Sequence, residues 1–291
     1  TVRTITGTNG QTMIDISGAF SMTIDGRDPS NLAGGARNLI FRNSSLFPAI
    51  RFNNGAKDDS LMYCQVQSKV QSSTQGGGVV TIGGPLIVGT TNLDNIVLYE
   101  NKISYPTNIG SPVLADIPQL GIQFQGSATS SVTNLVIKRN SIFNFQTSAI
   151  ATMNPSTGIG NSYIGNGVVL DSNRIYQTFT IPTYQYPIDL DVNGNSYGHQ
   201  ITNNLIGGNT EPSPNITGTL TNNKGDGEMV AIYVNTGNAP DSVSSTSIQG
   251  NKIKNILLSG TGWHNFVGIR VENGRVRIGD QTRNIIGDSL I

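Results

Sequence analysis

One stretch decides the fold of this chain: Asn134-Leu135-Val136-Ile137-Lys138-Arg139-Asn140-Ser141-Ile142. Apolar and polar residues alternate on both sides of Asn140, which is typical of short β-strands that are buried on one face. The stretch reduces to the phrase apolar-x-x-Asn-x-apolar. We interpret it as two short strands joined at a bend that the Asn occupies.

The same phrase recurs along the chain. Full copies place an Asn at Asn101, Asn140, Asn173, Asn204 and Asn251, and weaker copies place Asn43, Cys64 and Asn284 in that position. The intervals between these positions are 21, 37, 39, 33, 31, 47 and 33 residues. A repeated core unit that carries loops of variable length produces this scatter.

A second phrase, Ile-x-apolar, precedes the copies and is usually followed by Gly. It begins at Ile24, Ile50, Ile122, Ile188, Ile232 and Ile269. Each copy is predicted to be a short strand followed by a turn in which Gly supplies a positive φ. Two or three strands and one Asn per turn describe a solenoid. We therefore predict an all-β solenoid of about eight coils, in which residues 1–291 form a single domain of a longer protein.

The recurring Asn has a physical explanation. At a bend between two strands, an inward amide can stack on the equivalent amide one coil away, at the roughly 4.8 Å spacing of neighbouring strands. We expect a structural ladder of Asn43, Asn101, Asn140, Asn173, Asn204, Asn251 and Asn284. Cys64 occupies the same slot in an early coil, so we expect its thiol to be buried, reduced and unreactive.

Composition limits the functions open to the chain. It has 18 basic and 18 acidic residues, so its formal net charge is zero. This excludes a general electrostatic attraction to nucleic acid or to an anionic membrane. No stretch reaches the roughly 18 apolar residues of a membrane span. The chain is rich in Gly (35 residues) and Asn (32) and has one Cys. Such a Cys-poor, Asn-rich composition favours an extracellular or cell-surface location.

The repeats resemble those of right-handed parallel β-helices, the pectin-lyase-like superfold. Thr23-Ile24-Asp25-Gly26, Arg277-Ile278-Gly279-Asp280 and Asn284-Ile285-Ile286-Gly287 also resemble segments of large secreted surface proteins of gliding bacteria that use type IX secretion. The resemblance runs from about residue 12 to the end of the chain. It implies the fold but not the function, because this fold carries lyases, hydrolases, epimerases, tailspikes and adhesins.

The solenoid brings outward residues of distant sequence together on the Ile-x-apolar strands. The first outward row begins at Asp25 and continues through Arg51. In the last coils the two rows contain Asp189, Asp191, Tyr233, Asn235, Arg270 and Glu272. We call these six residues the late-coil face. They predict either a solvated sheet surface, or a glycan-binding surface, or a catalytic set.

The catalytic alternative uses Asp189, Asp191, Arg270 and Glu272. Asp189 and Glu272 are expected two coils apart, which is about 10 Å at the strand spacing. This distance is near the upper end of the carboxylate separation in inverting glycosidases, and an arginine beside the two carboxylates can neutralise a uronic acid. The binding alternative uses Tyr233, Asn235 and Trp263, since an exposed aromatic ring can stack on a sugar.

A cation site is a further alternative at the same place. Asp189-Leu190-Asp191-Val192-Asn193-Gly194 matches the start of a calcium loop, in which oxygen ligands converge beside a Gly turn. The twelfth position is Gln200, where such a loop requires a bidentate Glu. A strand followed by a turn fits the same residues. We therefore expect no cofactor, with calcium bound by Asp189, Asp191 and Asn193 as the alternative.

The catalytic patterns of polygalacturonase-like hydrolases are largely missing. Gly198-His199-Gln200 is similar to their His motif, but no Asp-Asp pair precedes it closely, and the alternation points His199 inward. We therefore predict an extracellular structural or adhesion module with weak glycan binding and a flat late-coil face, whose partners are glycans or other cell-surface components. The alternative is a polysaccharide lyase or glycoside hydrolase that acts on an acidic polysaccharide through the late-coil face.

Overall fold

A computed structural model of the chain describes residues 1–8, 10–71, 77–84, 91–106, 113–127, 130–152, 164–192, 196–208, 220–222, 227–258 and 262–287. Within these ranges the ordered structure is almost entirely β-strand, and none of it is α-helix. Leu32–Gly34 and Leu114–Asp116 form single turns of 3-10 helix.

Three parallel sheets contain most of the strands. Sheet A consists of Arg3–Gly7, Leu39–Asn43, Cys64–Ser68, Lys102–Ser104, Ser141–Phe143, Arg174–Tyr176, Leu205–Ile206, Lys252–Ile253 and Ile285–Ile286. Sheet B consists of Thr23–Asp25, Ser60–Met62, Val97–Tyr99, Val136–Lys138, Val169–Asp171, Gln200–Thr202, Thr246–Gln249 and Val276–Ile278. Sheet C consists of Ile14–Ser17, Ile50–Asn53, Gly78–Gly83, Leu120–Gln125, Ser148–Ala151, Ile188–Asp191, Gly227–Asn235 and His264–Asn273.

Two strand pairs lie outside these sheets. Leu93–Asp94 pairs with Val132–Thr133, and Leu220–Asn222 pairs with Ile256–Leu258.

The chain visits sheets C, B and A in that order in every coil. Each strand then pairs in parallel with its equivalent one coil later, as Val97–Tyr99 does with Val136–Lys138. Sheets B and C each contain eight described strands, so the chain winds through eight coils. The prediction of a parallel β-helix of about eight coils is confirmed.

Inward side chains form continuous apolar columns. On sheet B one column is Leu61, Leu98, Ile137, Leu170, Ile201 and Ile248. All six are buried. Burial of each such side chain stabilises the fold by roughly 1.5–3 kcal/mol. Because these columns are in register, a slip by one residue turns the apolar side chains outward.

The first coil differs from the prediction. Thr23–Asp25 belongs to sheet B, whereas the other Ile-x-apolar strands belong to sheet C. Asp15, not Asp25, is aligned with Arg51 in the outward row of sheet C. The physical reason is that a strand of period two looks alike on either sheet, so the phrase alone does not identify the sheet.

The bend from sheet B to sheet A requires a left-handed backbone. The residue before the repeated Asn, or before Cys64 in the same position, has a φ between 52° and 65° at Tyr63, Glu100, Arg139, Ser172, Asn203 and Gly250. This conformation costs an L-residue roughly 1–2 kcal/mol. Five of these six residues are not glycine, so the bend is held by something other than backbone preference.

Hydrogen bonds from the Asn amides stabilise the bend. The Oδ1 of Asn140 accepts the N–H of Asn101 (2.9 Å), and the Nδ2 of Asn140 donates to the carbonyl of Leu98 (2.9 Å). Asn140 in turn donates its own N–H to the Oδ1 of Asn173 (3.0 Å). The same pattern joins Asn101, Asn140, Asn173, Asn204, Asn251 and Asn284 in one stack. Backbone groups at each bend therefore have partners in the buried interior.

Asn43 lies outside this stack, which corrects the expectation for it. Leu39, not Asn43, is aligned with Cys64 in sheet A. Asn43 is at the other end of its strand, where its Nδ2 donates to the carbonyls of Gln11 (2.9 Å) and Pro48 (2.9 Å). It therefore closes the next bend, from sheet A to sheet C. The weak copy of the phrase was aligned on its Asn, although the true bend is four residues earlier.

Cys64 takes the slot below Asn101. Its N–H donates to the Oδ1 of Asn101 (3.0 Å), and its side chain is fully buried. The thiol is free and donates to the carbonyl of Met62 (3.2 Å). Burial, with a smaller contribution from the charge of Asp25, raises the pKa of the Cys64 thiol to about 12.

We predict that Asn140→Ala destabilises the fold by about 1–3 kcal/mol, because the N–H of Asn101 and the carbonyl of Leu98 lose their buried partner. The free energy of unfolding from urea titration measures this cost. Asn31→Ala is the control, since Asn31 is exposed and its side chain caps nothing. Equal stability of the two variants would contradict a structural role for the stack.

We predict that Cys64 does not react with an aromatic disulfide reagent at pH 8 under native conditions. A buried thiol with a pKa far above the solution pH forms almost no accessible thiolate. The same protein in guanidinium chloride should release one equivalent of the reporter thiol, which provides the control. Rapid native labelling would contradict the placement of Cys64 in the interior.

Candidate functional site

The register of sheet C assembles the late-coil face. Asp189 is aligned with Tyr233, and Tyr233 with Arg270. Neighbouring coils are about 4.8 Å apart, so these three backbone positions span about 10 Å. Asp191, two residues after Asp189 on the same side of the strand, is aligned with Asn235. Five of the six residues predicted for the face therefore lie on adjacent coils.

Glu272 is displaced by a β-bulge. The register shifts after Val234, so that Val234 is aligned with Val271 but Asn235 is aligned with Asn273. Glu272 is the extra residue of the bulge and is exposed. Its charge still acts on the face, because it contributes to raising the pKa of both Asp191 and Tyr233. Bulges often occur where a strand re-aims a side chain.

Asp189 is buried, although it points outward from the sheet. Its exposed fraction is 4%. Burial, followed by repulsion from Asp191, raises the pKa of Asp189 to about 8. No described residue donates a hydrogen bond to its carboxyl group. The raised pKa favours the neutral carboxylic acid at pH 7.

Asp191 and Tyr233 surround this acid. Burial and the charge of Glu272 raise the pKa of Asp191, against a hydrogen bond from the Nδ2 of Asn235 (2.8 Å) that lowers it. Burial and the neighbouring carboxylates raise the pKa of Tyr233 to about 12. Its ring packs edge-on against Tyr186, with centroids 6.2 Å apart. The face thus holds two neighbouring carboxyl groups whose pKa values are raised, and such groups are used in general acid–base chemistry.

Arg270 is bound to a residue that the sequence did not suggest. Its two terminal nitrogens donate to the two carboxylate oxygens of Glu228, each at 2.5 Å. Glu228 also accepts the Nδ2 of Asn265 (2.9 Å). The hydrogen bonds from Arg270 hold the pKa of Glu228 below its ordinary value. Arg270 therefore engages Glu228 and not the carboxylates of the late-coil face.

Glu228 and Tyr186 escaped the sequence reasoning for different reasons. Glu228 lies outside the phrase that begins at Ile232, whereas the strand begins at Gly227. An acidic residue directly before Met229-Val230-Ala231-Ile232 was the available signal. Tyr186 lies in a Pro-rich connection with no periodicity, and only the fold brings it to Tyr233.

Trp263 stands at the opposite end of the strands from Asn235. Its carbonyl accepts the N–H of Gly227, the first residue of the strand that ends at Asn235. The indole is 67% exposed, and Tyr184, whose ring lies against Gly227, is 43% exposed. Both residues contact Gly227, the first residue of the strand Gly227–Asn235, and we call them the exposed aromatic pair.

The calcium alternative depends on a residue that is outside the described ranges, Asn193. Asp189 and Asp191 are both on the strand Ile188–Asp191. In the described part of the chain, no group of three or more His, Cys, Asp or Glu side chains is arranged to hold a metal ion.

His199 is a core residue. It is fully buried, its Nδ1 accepts the N–H of Val168 (3.3 Å), and its Nε2 is 3.0 Å from the hydroxyl of Ser196. That hydroxyl donates to the carbonyl of Gly165, so Nε2 carries the proton. Burial lowers the pKa of His199 to about 4. The imidazole therefore stays neutral and supports the bend around it.

The described helical segments include none that is long and apolar enough to cross a membrane.

We predict that the buried acid makes stability fall with rising pH. Asp189 titrates near 3.8 when unfolded and near 8 when folded, so between these values the folded state binds the extra proton. Asp189→Asn removes this dependence. Its stability relative to the native protein should increase by about 1.4 kcal/mol per pH unit in that window.

Urea titrations at pH 4.5, 6 and 7.5 measure this difference. Tyr233→Phe is the matched control on the same face, because a phenol with a pKa of about 12 does not titrate in that range. A constant difference between Asp189→Asn and the native protein would show that Asp189 is ionised in the folded state.

Comparison with known proteins assigns the chain to no family. No protein-family model matches the chain, and no curated protein matches it. Among solved structures, PfbA, a surface adhesin of Streptococcus pneumoniae, matches with a TM-score of 0.40 and 10% sequence identity, over 91% of this chain and 70% of that chain. The fold assignment of this chain rests on its own strand register.

Proposed function

We propose that the chain is a rigid structural or adhesion module of a secreted, surface-exposed protein, and that it contacts glycans through sheet C. The observation that carries this proposal is the unbroken stack of eight coils in three parallel sheets. At the strand spacing, eight coils form a rod about 40 Å long. A rod with a continuous amide stack and apolar columns keeps its coils in fixed positions relative to one another, so it can present a binding surface rigidly.

The state of the late-coil face supports binding over cleavage. A residue that transfers a proton to a substrate must reach it within hydrogen-bond distance. Asp189 is covered in this conformation, and Arg270 is engaged by Glu228. The groups that remain accessible in part are Asp191, Tyr233 and Asn235. A carboxylate, a phenol and an amide are suited to the hydroxyl groups of a sugar.

The exposed aromatic pair extends this surface. Trp263 and Tyr184 are exposed and contact Gly227 of the same sheet. Large aromatic rings provide flat apolar area with a polar edge, which matches the alternation of C–H faces and hydroxyl groups on a pyranose. The charge of the chain is balanced, so the proposed contact depends on hydrogen bonds and stacking and should be weakly sensitive to salt.

One observation favours a second function, a glycoside hydrolase or lyase. Asp189 is protonated at neutral pH and lies two residues from Asp191 on the same side of one strand. Backbone positions two residues apart on a strand are about 7 Å from each other. An inverting glycosidase uses two carboxyl groups about 6.5–9.5 Å apart, one as general acid and one as general base. This function would require movement that exposes Asp189.

A panel of acidic and neutral polysaccharides separates the two functions, with and without calcium. We predict that the protein is retained on at least one immobilised polysaccharide and releases no reducing or unsaturated ends from any. Tyr233→Ala and Trp263→Ala should each weaken retention about tenfold, which is the loss of a stacking or hydrogen-bonded contact of about 1.4 kcal/mol. Asp15→Asn, in the same outward row at the first coil, is the control.

Two results would contradict the proposal. Retention on no polysaccharide would remove glycan contact from it. Release of sugar ends by the native protein that disappears in Asp189→Asn, but persists in Asp15→Asn, would replace the binding function with the enzymatic one.

A further inference from the structure

We propose that a cleft on sheet B, separate from the late-coil face, binds a carboxylated sugar. We call it the sheet B cleft; its floor is formed by Gln200, Thr202, Ser247, Gln249 and Arg277, and its volume is about 460 Å³. This volume is within the roughly 300–1,000 Å³ of small-molecule sites. The cleft belongs to the last three coils but opens on a different sheet from Asp189.

The floor of the cleft is a row of polar side chains in register. Gln200 is aligned with Ser247, and Ser247 with Arg277. These outward residues alternate with Ile201 and Ile248, which are buried in the core. In the described part of the chain, the side chains of Gln200 and Ser247 have no hydrogen-bond partner. They therefore retain donors and acceptors for a ligand that has many hydroxyl groups.

The walls of the cleft are held in place by their own hydrogen bonds. The insertion 237–245 forms one wall, in which the N–H of Ser244 donates to Asp241 (2.7 Å) and the N–H of Gly237 donates to the carbonyl of Ser196 (2.8 Å). The turn at Gln281 forms the other wall, where the N–H of Gln281 donates to the Oε1 of Gln249 (3.3 Å). The concave shape is thus built by the fold.

Arg277 identifies the ligand class. Its Nε is buried and has no hydrogen-bond partner, which is rare in folded proteins. One terminal nitrogen lies 3.6 Å from Asp280, beyond the 2.7–2.9 Å of a close charge-assisted hydrogen bond. Asp280 already accepts a hydrogen bond from Gln249. No described residue accepts a hydrogen bond from the two terminal nitrogens of the guanidinium, and such a pair of donors binds a carboxylate through two hydrogen bonds.

Arg270 provides the internal comparison. It lies on the same coil, but its guanidinium is engaged by both oxygens of Glu228 at 2.5 Å. Arg277 has no such partner in the described ranges. A ligand whose carboxylate binds Arg277 and whose hydroxyl groups bind Gln200 and Ser247 would occupy the whole row. The geometry therefore points to a uronic acid residue.

The test is calorimetric titration with a galacturonic acid tetrasaccharide and with its carboxyl-reduced form, in the presence of a chelator. We expect the acidic form to bind at least tenfold more tightly than the reduced form. Arg277→Gln should weaken binding of the acidic form at least tenfold, and Arg277→Lys should retain part of it, since lysine keeps the charge but lacks the fork. Arg174→Gln, on sheet A, is the matched control and should leave binding unchanged.

Asp280→Asn keeps the test decisive if Arg277→Gln fails to fold. It removes the competing carboxylate and should tighten binding of the acidic form several-fold. Equal binding of the two saccharides, no detectable binding up to 10 mM (about ten-thousand-fold above the dissociation constant of a micromolar site), or unchanged affinity in a folded Arg277→Gln would overturn the proposal. Loss of binding in Tyr233→Ala but not in Arg277→Gln would place the acidic sugar on the late-coil face, which would overturn this inference and leave the proposed function standing.

Discussion

The fold depends on one hydrogen bond that is repeated from coil to coil: the backbone N–H at each bend donates to the amide oxygen of the Asn one coil further on. The bend itself is unfavourable, because residues such as Arg139 and Ser172 adopt a left-handed backbone. The amide contributes both a donor and an acceptor to backbone groups in the buried interior. It fixes the register of each coil on the next, and the apolar columns follow from that register.

Fixed register turns sequence distance into spatial order. Asp189, Tyr233 and Arg270 are separated by more than 35 residues at each step, yet they occupy consecutive positions of one row. The row is not a set of equivalent surface residues. Asp189 is covered and neutral, whereas Arg270 is ion-paired with Glu228. A buried acid without a donor is a cost that the apolar columns and the amide stack offset, and such costs are most often retained where a protein functions.

The loops between the strands, and not the strands themselves, decide which outward rows become sites. The insertion 237–245 lies over sheet B, where Ser244 and Ser245 line the sheet B cleft. Sheet B has short strands of three or four residues in the last coils, whereas the last two strands of sheet C extend to nine and ten residues. Two neighbouring faces of the same coils thus differ in shape although they share one repeat.

The sequence by itself determined the repeating unit of the fold. The spacing of apolar-x-x-Asn-x-apolar and the alternation around it are local properties, so they predicted the parallel β-helix, the number of coils and the alignment of Asp189 with Tyr233 and Arg270. Tertiary structure decided the rest. Asn43 was misaligned because an Asn can close either bend. The displacement of Glu272 was not predicted because the alternation of apolar and polar residues along a strand does not show where a bulge occurs. The burial of Asp189, the pairing of Arg270 with Glu228 and the open donors of Arg277 depend on the path of loops with no repeat, and a pattern of period two carries no information about what covers its outward face.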